Sequence, residues 1–243
     1  MSNWPNLSRA PIVEGLIDIR VELPPPPNLA ALKNLSDELA EDFPSRNERF
    51  RWSGSFSIDQ QLRETRTTQY EEPDGYVLRS VDGGVVAQFR FDGLTLSRLQ
   101  PYGSWDDLTK RTKFFWNKYR DAVRPVKVPR VACRFINRIP FPAGSSFETI
   151  FATGFSLPSS LPQNVAGFLL RIALPFNPEQ SMAIVSQTLD SDGAHCILDI
   201  DVFSERAEGF TEPEIWEKLA GLREIKNRLF FESLTPSTLE RFK

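Results

Sequence analysis

Asp199 and Asp201 stand two apart in the run Leu198-Asp-Ile-Asp-Val-Phe203, so a strand there projects both carboxylates from one face while Leu198, Ile200 and Val202 enter a core. Two carboxylates on one face can hold Mg²⁺ or Ca²⁺ for metal-assisted hydrolysis, although hard cations take more oxygen ligands than one Asp-x-Asp supplies. Arg134 and Arg138 share one face of the alternating run Val131 to Ile139, with Asn137 between them and Arg171 expected on a neighbouring strand. Guanidinium forks grip carboxylates and phosphates with two prongs, so this set is the candidate for binding an anionic or nucleotide-like ligand. The competing reading pairs those arginines with Asp199, Asp201 or Glu14 as structural ion pairs. His195, beside Asp192 at the start of a strand, is the sole histidine. That count alone removes most acid–base and metal schemes.

Further motifs of catalysis are missing from the sequence. There is no glycine-rich phosphate loop carrying a lysine, no dinucleotide fingerprint after the first strand, no nucleophile elbow, and no cysteine with a base nearby. The expectation is therefore a protein without a catalytic residue or cofactor. A basic strip runs through Lys110, Arg111, Lys113, Lys118, Arg120, Arg124, Lys127 and Arg130, but Asp106, Asp107 and Asp121 interrupt it, which favours a solvated helix face over nucleic-acid binding.

Alternation and helical spacing predict the elements that must position these groups. Pro11 to Leu23 alternates as a half-buried strand and stops at the proline run Pro24 to Pro27. Asn28 caps a helix with Leu32, Leu35, Leu39 and Phe43 at helical spacing. Phe50 to Leu99 reads as a meander with hairpin turns at Asp82-Gly83-Gly84 and Asp92-Gly93, and its polar stretch Gln60 to Pro73 as a long hairpin tip or mobile loop. Ser104 opens the strongest helix, whose stripe runs through Trp105, Leu108, Thr112, Phe115, Trp116 and Tyr119. After the strand at Val131 to Ile139, residues 141–167 form a long connection with one helical turn near Phe147 to Phe151. Strands at Phe168 to Phe176, Met182 to Leu189 and His195 to Phe203 follow. Thr211-Glu-Pro-Glu214 then caps a helix bearing Ile215, Trp216, Leu219, Leu222, Ile225 and Leu229.

The order implies an α+β protein: a curved antiparallel sheet of two loosely similar halves, residues 1–130 and 131–243, with amphipathic helices packed on one face and the whole forming one compact unit. Its 243 residues suffice for such a core, and a formal net charge of -3 supplies no field that would draw nucleic acid or lipid. Met1 to Ala10 lacks the pattern of a signal peptide, and no apolar run approaches the roughly 20 residues that span a bilayer. Cys133 and Cys196, one per strand, suit a reducing compartment, so a cytoplasmic location is expected.

Four segments carry a resemblance: Ala10-Pro-Ile-Val-Glu to Val21, Arg134-Phe-Ile-Asn-Arg-Ile to Pro142 with the loop Phe147 to Pro162, Leu198 to Phe203, and Lys226-Asn-Arg-Leu-Phe-Phe-Glu-Ser to Phe242. Together they resemble a sporadically distributed family of bacterial proteins of unknown function. The resemblance implies a bacterial cytosolic protein and brings no activity or catalytic residue. Sporadic distribution suggests mobile gene islands, where defence modules and toxin-neutralising partners occur. The sequence reading is thus a non-enzymatic interaction protein, an accessory or neutralising partner in a defence or toxin–antitoxin type gene pair. Its protein partner, or a second copy of the chain, would meet an exposed sheet edge or the 141–167 loop. The alternatives are the anion-binding module at Arg134 and Arg138 and the metal-assisted hydrolase at Asp199 and Asp201.

Overall fold

The computed structural model describes residues 4, 5, 7–59, 64–142, 144–155, 157–162 and 165–243, with side chains described outside 52–70. Nine strands form one antiparallel sheet in the order β2-β3-β4-β5-β1-β6-β9-β8-β7. In chain order they are β1 (Ile12–Glu22), β2 (Ser45–Asp59), β3 (Glu64–Arg79), β4 (Val85–Arg90), β5 (Gly93–Leu99), β6 (Lys127–Pro140), β7 (Leu169–Phe176), β8 (Ser181–Leu189) and β9 (His195–Glu205). The helices are α1 (Leu29–Glu38), α2 (Trp105–Val123), α3 (Phe147–Ile150), α4 (Glu212–Ser233) and α5 (Pro236–Glu240).

Two halves share a plan. In the first, β1 leads through α1 to a meander that returns beside β1 as β5 and ends in α2; in the second, β6 leads through the loop bearing α3 to a meander that returns beside β6 as β9 and ends in α4. The two lead strands pair with each other at the centre of the sheet, Ile17 opposite Cys133 and Ile19 opposite Val131.

Strand alternation separates the faces. On one face, rows such as Leu96, Ile17, Cys133, Val202 and Ala183 run across five strands. All five are fully buried. Helix α2 packs there on β1 and β5, and α4 on β6, β8 and β9. The helix starts are those the sequence marks: Ser104 Oγ accepts from Asp107 N at 3.1 Å, Asn28 Oδ1 from Ala31 N at 3.3 Å, and Thr211 N donates to Glu214 Oε2 at 2.7 Å. The hairpin glycines Gly83 and Gly193 take φ of +68° and +66°, a region their lack of a Cβ permits.

The polar stretch expected as a tip or loop is strand from residue 64 onward. Beyond the portion of β3 that pairs with β4, Gly75 to Arg79, strands β2 and β3 continue as a two-stranded arm. The turn itself, 60–63, lies outside the described residues. Ladder hydrogen bonds need no apolar alternation, so a polar sequence can still form such a ribbon. The aromatic residues described in the long connection pack on one another, as expected: the Phe147 ring lies 4.8 Å from Phe151 and 4.9 Å from Phe168. Both cysteines are buried and unpaired. No helix among the described residues is long and apolar enough to cross a membrane.

Candidate functional site

The sheet face away from the helices carries the arginines and aspartates singled out by sequence, and there they neutralise one another. Arg134 grips Asp199 with two prongs, at 2.8 and 2.5 Å. Arg138 donates to Asp190 at 2.7 Å and also to Asp192, which in turn takes His195 Nδ1 at 2.8 Å. Asp201 lies 3.5 Å from Arg130, and burial raises its carboxyl against the pull of Arg130 and Arg134. Asp199 and Asp201 do share a face, yet among the described residues no third acidic, histidine or cysteine ligand joins them. Arg171 occupies the same row as Asp199, two strands away, exposed at the terminal strand. Asn137 does not join the arginines. Alternation turns it to the helix face, buried, where Nδ2 donates to the carbonyls of Leu198 at 3.1 Å and Phe135 at 3.3 Å.

The same face holds a buried hub. Asp18 accepts from Arg20 at 2.8 Å, Arg90 at 2.7 Å, Arg130 at 3.0 Å and the Thr95 hydroxyl at 2.6 Å. Burial alone would raise this carboxyl; Arg90 and Arg20 outweigh it and hold it below the usual range. Part of the basic strip is similarly engaged, with Arg111 on Asp107, Lys118 on Glu38, Arg120 on Glu212 and Lys127 on Glu22.

A different set of cations is left over on the helix side. Between the N-terminus of α2, the α4 face and the β1–β6 seam lies a hollow of about 370 Å³. Helix α4 presents Arg223, Lys226, Asn227, Phe230 and Phe231 to it, spaced i, i+3, i+4, i+7 and i+8, the positions of a single helical stripe. Strand β6 supplies Phe135 and Asn137, the approach to α2 supplies Tyr102, and α2 itself supplies Trp105. Gly15 makes room for this arrangement: a Cβ there would lie 2.5 Å from Tyr102 Cε2 and 2.8 Å from Phe135 Cε1. Across the mouth, Trp4 stacks on Phe231 with ring centroids 5.2 Å apart and planes 4° from parallel.

Lys226 Nζ sits 4.0 Å from the Phe135 ring centroid and donates to Asn227 Oδ1 at 2.5 Å. The residue as a whole is only half-buried, but the ammonium is enclosed by protein and reached through the hollow. Burial pushes it down to about 8; Cys133 and Glu224 act against that shift and Arg223 with it. The Arg223 guanidinium lies 5.7 Å from the Trp105 ring. Neither cation forms an ion pair with a carboxylate among the described residues. The Tyr102 hydroxyl is buried without a hydrogen-bond partner among the described residues, and burial raises its pKa. Cys133, beneath, is pushed up to about 12 by burial and remains a neutral thiol.

A larger groove of about 710 Å³ beside α2 is lined by Phe114, Phe115, Arg98 and Arg111, but Arg98 faces Asp82 at 3.7 Å and Arg111 faces Asp107 at 2.9 Å. Its arginines are met by carboxylates; among the described residues, Arg223 of the smaller hollow is not. Lys226 was legible in the sequence as the one break in a 4-3-4-3 stripe, Ile215, Leu219, Leu222, Lys226, Leu229, where an apolar residue belongs. Residues from the segments opening at Ala10, Arg134 and Lys226 meet at this hollow. In comparison with known proteins, no family model matches the chain and no curated protein does.

Proposed function

We propose that this protein is a binding module for a small, flat, negatively charged molecule, held in the hollow between α2 and α4. One observation carries the reading: two cations without carboxylate partners among the described residues, Arg223 and Lys226, open into a cavity walled by Trp105, Phe135, Phe230 and Phe231. Buried positive charge requires a counter-charge, and aromatic walls favour a planar body over an aliphatic one. A cavity of about 370 Å³ suits a single- or fused-ring ligand bearing a carboxylate or phosphate. The reading keeps the anionic class expected from sequence and moves the site to the other face, because Arg134 and Arg138 are already held by Asp199, Asp190 and Asp192.

A thermal-shift screen of aromatic carboxylates and nucleotides tests it. A ligand at 100 times its dissociation constant stabilises by about 2.7 kcal/mol, and Arg223→Gln should abolish most of that shift while Arg134→Gln leaves it intact. No shift with any anionic ring compound, or equal shifts in both variants, would refute the proposal.

A second reading, the interaction protein, draws support from the far edge of the sheet. Strand β7 is terminal, and Leu157, Val165 and Leu169 around it are 37%, 37% and 72% exposed. Exposed apolar groups beside an open strand edge suit docking of a protein partner. A neutralising role in a bacterial gene pair belongs to this reading.

A further inference from the structure

Resting on the binding reading above, we infer that Lys226 is a carbonyl-reactive amine: it condenses with the aldehyde of an aromatic anion whose negative group is held by Arg223.

The geometry separates two roles within one stripe of α4. Arg223 is one turn N-terminal to Lys226, so the two cations project into the same hollow about 5 Å apart along the helix axis. Arginine stays charged under all working conditions and offers a planar fork, the better anchor for carboxylate or phosphate. Lysine can give up its proton, and its surroundings favour that. Lys226 Nζ has the Phe135 ring on one side at 4.0 Å and a single amide oxygen, Asn227 Oδ1, on another at 2.5 Å. Among the described residues no carboxylate is paired with it to stabilise the ammonium. The titratable groups around it are Arg223 and Glu224 on its own helix, the neutral thiol of Cys133 on β6, and Asp106 and Asp107 on α2, which act on Tyr102. Of the two acids on α2, Asp107 is bound to Arg111. Burial lowers the amine to about 8, so a substantial fraction is unprotonated near neutrality, whereas an ordinary lysine titrates near 10.5.

The reaction balances without a redox partner. The ammonium gives its proton to solvent; the amine lone pair adds to the aldehyde carbon to form a carbinolamine; loss of one water then leaves the C=N bond of the imine. The aromatic wall at Phe135 and Trp105 aligns the ring of the aldehyde, and the Arg223 fork sets its depth. Cys133, a neutral buried thiol, does not compete as a nucleophile.

The test uses 4-carboxybenzaldehyde and its unreactive counterpart 4-(hydroxymethyl)benzoate, with sodium cyanoborohydride to trap imines and peptide mapping to locate them. At pH 7.5, Lys226 should be labelled at least about tenfold faster than exposed lysines such as Lys33 and Lys110, because an amine held near 8 is unprotonated far more often than an ordinary lysine amine. The rate should rise with a midpoint near 8. Arg223→Gln should slow labelling by 4-carboxybenzaldehyde more than labelling by uncharged benzaldehyde, which loses only the share due to the higher pKa of the Lys226 amine once the Arg223 charge is gone. Labelling spread evenly over surface lysines would overturn the inference. If the hydroxymethyl compound raises the melting temperature but no adduct forms at Lys226, the imine chemistry falls and the binding reading stands. If neither compound binds, both fall.

Discussion

A lysine on the buried stripe of a helix is a destabilising choice, and its cost has a definite pH signature. The unfolded chain keeps the Lys226 proton up to about pH 10.5, while the folded chain releases it near 8, so between those values the unfolded state binds more protons and stability rises with pH. Below pH 8 the charged, buried amine costs on the order of 3 kcal/mol. Lys226→Met keeps the length of the side chain and removes the charge. The variant should resist urea better than the wild type at pH 7, and the advantage should shrink between pH 8 and 10.5. An unchanged midpoint at pH 7 would show that the ammonium is well solvated or paired, and that the hollow holds no uncompensated charge. The signal was present in the sequence as a polar break in an apolar repeat. It went unread because a lone lysine beside a helical stripe normally reaches solvent by bending its stem outward. The chemistry sought among Asp199, Asp201, Arg134 and Arg138 was the louder pattern, but spacing on one strand cannot tell open groups from paired ones. That depends on the opposing strand, where Asp199 stands diagonally across from Arg134.

Local elements were more legible than sites. Hairpin glycines, proline stops and capping residues act over a few neighbouring positions, so Asp82-Gly83-Gly84, Ser104 and Thr211 mark boundaries that tertiary contacts do not override. The β2–β3 arm was less legible, because a ladder of backbone hydrogen bonds leaves little trace in a polar sequence. The terminal strand β7 alternates exposed and half-buried positions along its whole length. Its Leu169, 72% exposed, contributes little to folding. Leu169→Asp should therefore change stability by no more than about 0.5 kcal/mol. If β7 is a docking edge, the same change should abolish recovery of a stoichiometric partner with the tagged chain from its native cells. Recovery of the same partner by both forms, or of none by a wild-type chain that is also monomeric in sedimentation, would remove the interaction reading.

At the scale of the whole molecule, the two faces of one sheet divide the work. The face under α2 and α4 holds the core and the hollow, while the other is a seam of ion pairs that fastens the halves together. Asp18 is its hub: it lies on β1 and binds Arg90 from β4, Thr95 from β5 and Arg130 from β6, so one carboxylate ties the first half to the lead strand of the second. The twofold plan was visible in the order of elements, but this hub was not, since its members are 72 to 112 residues apart in sequence. Asp18→Asn preserves shape and removes the charge, leaving Arg90, 4% exposed, dependent on Asp92. Breaking one partner of a buried pair costs about 3–5 kcal/mol, a large share of the ~5–15 kcal/mol of a typical domain. Because the folded carboxyl titrates below 3.8, its contribution is complete above that value and is lost as pH falls through the lower, folded one. The difference in urea midpoint between wild type and Asp18→Asn should thus be full at pH 7 and narrow in acid below about 3.8. A difference under about 1 kcal/mol at pH 7, or one that ignores pH, would mean that the seam is an ornament of the surface. Since the hub faces away from Lys226 and Arg223, the folded variant should still bind an aromatic anion with wild-type affinity. That separates the charge that holds the sheet from the charge left open for a ligand.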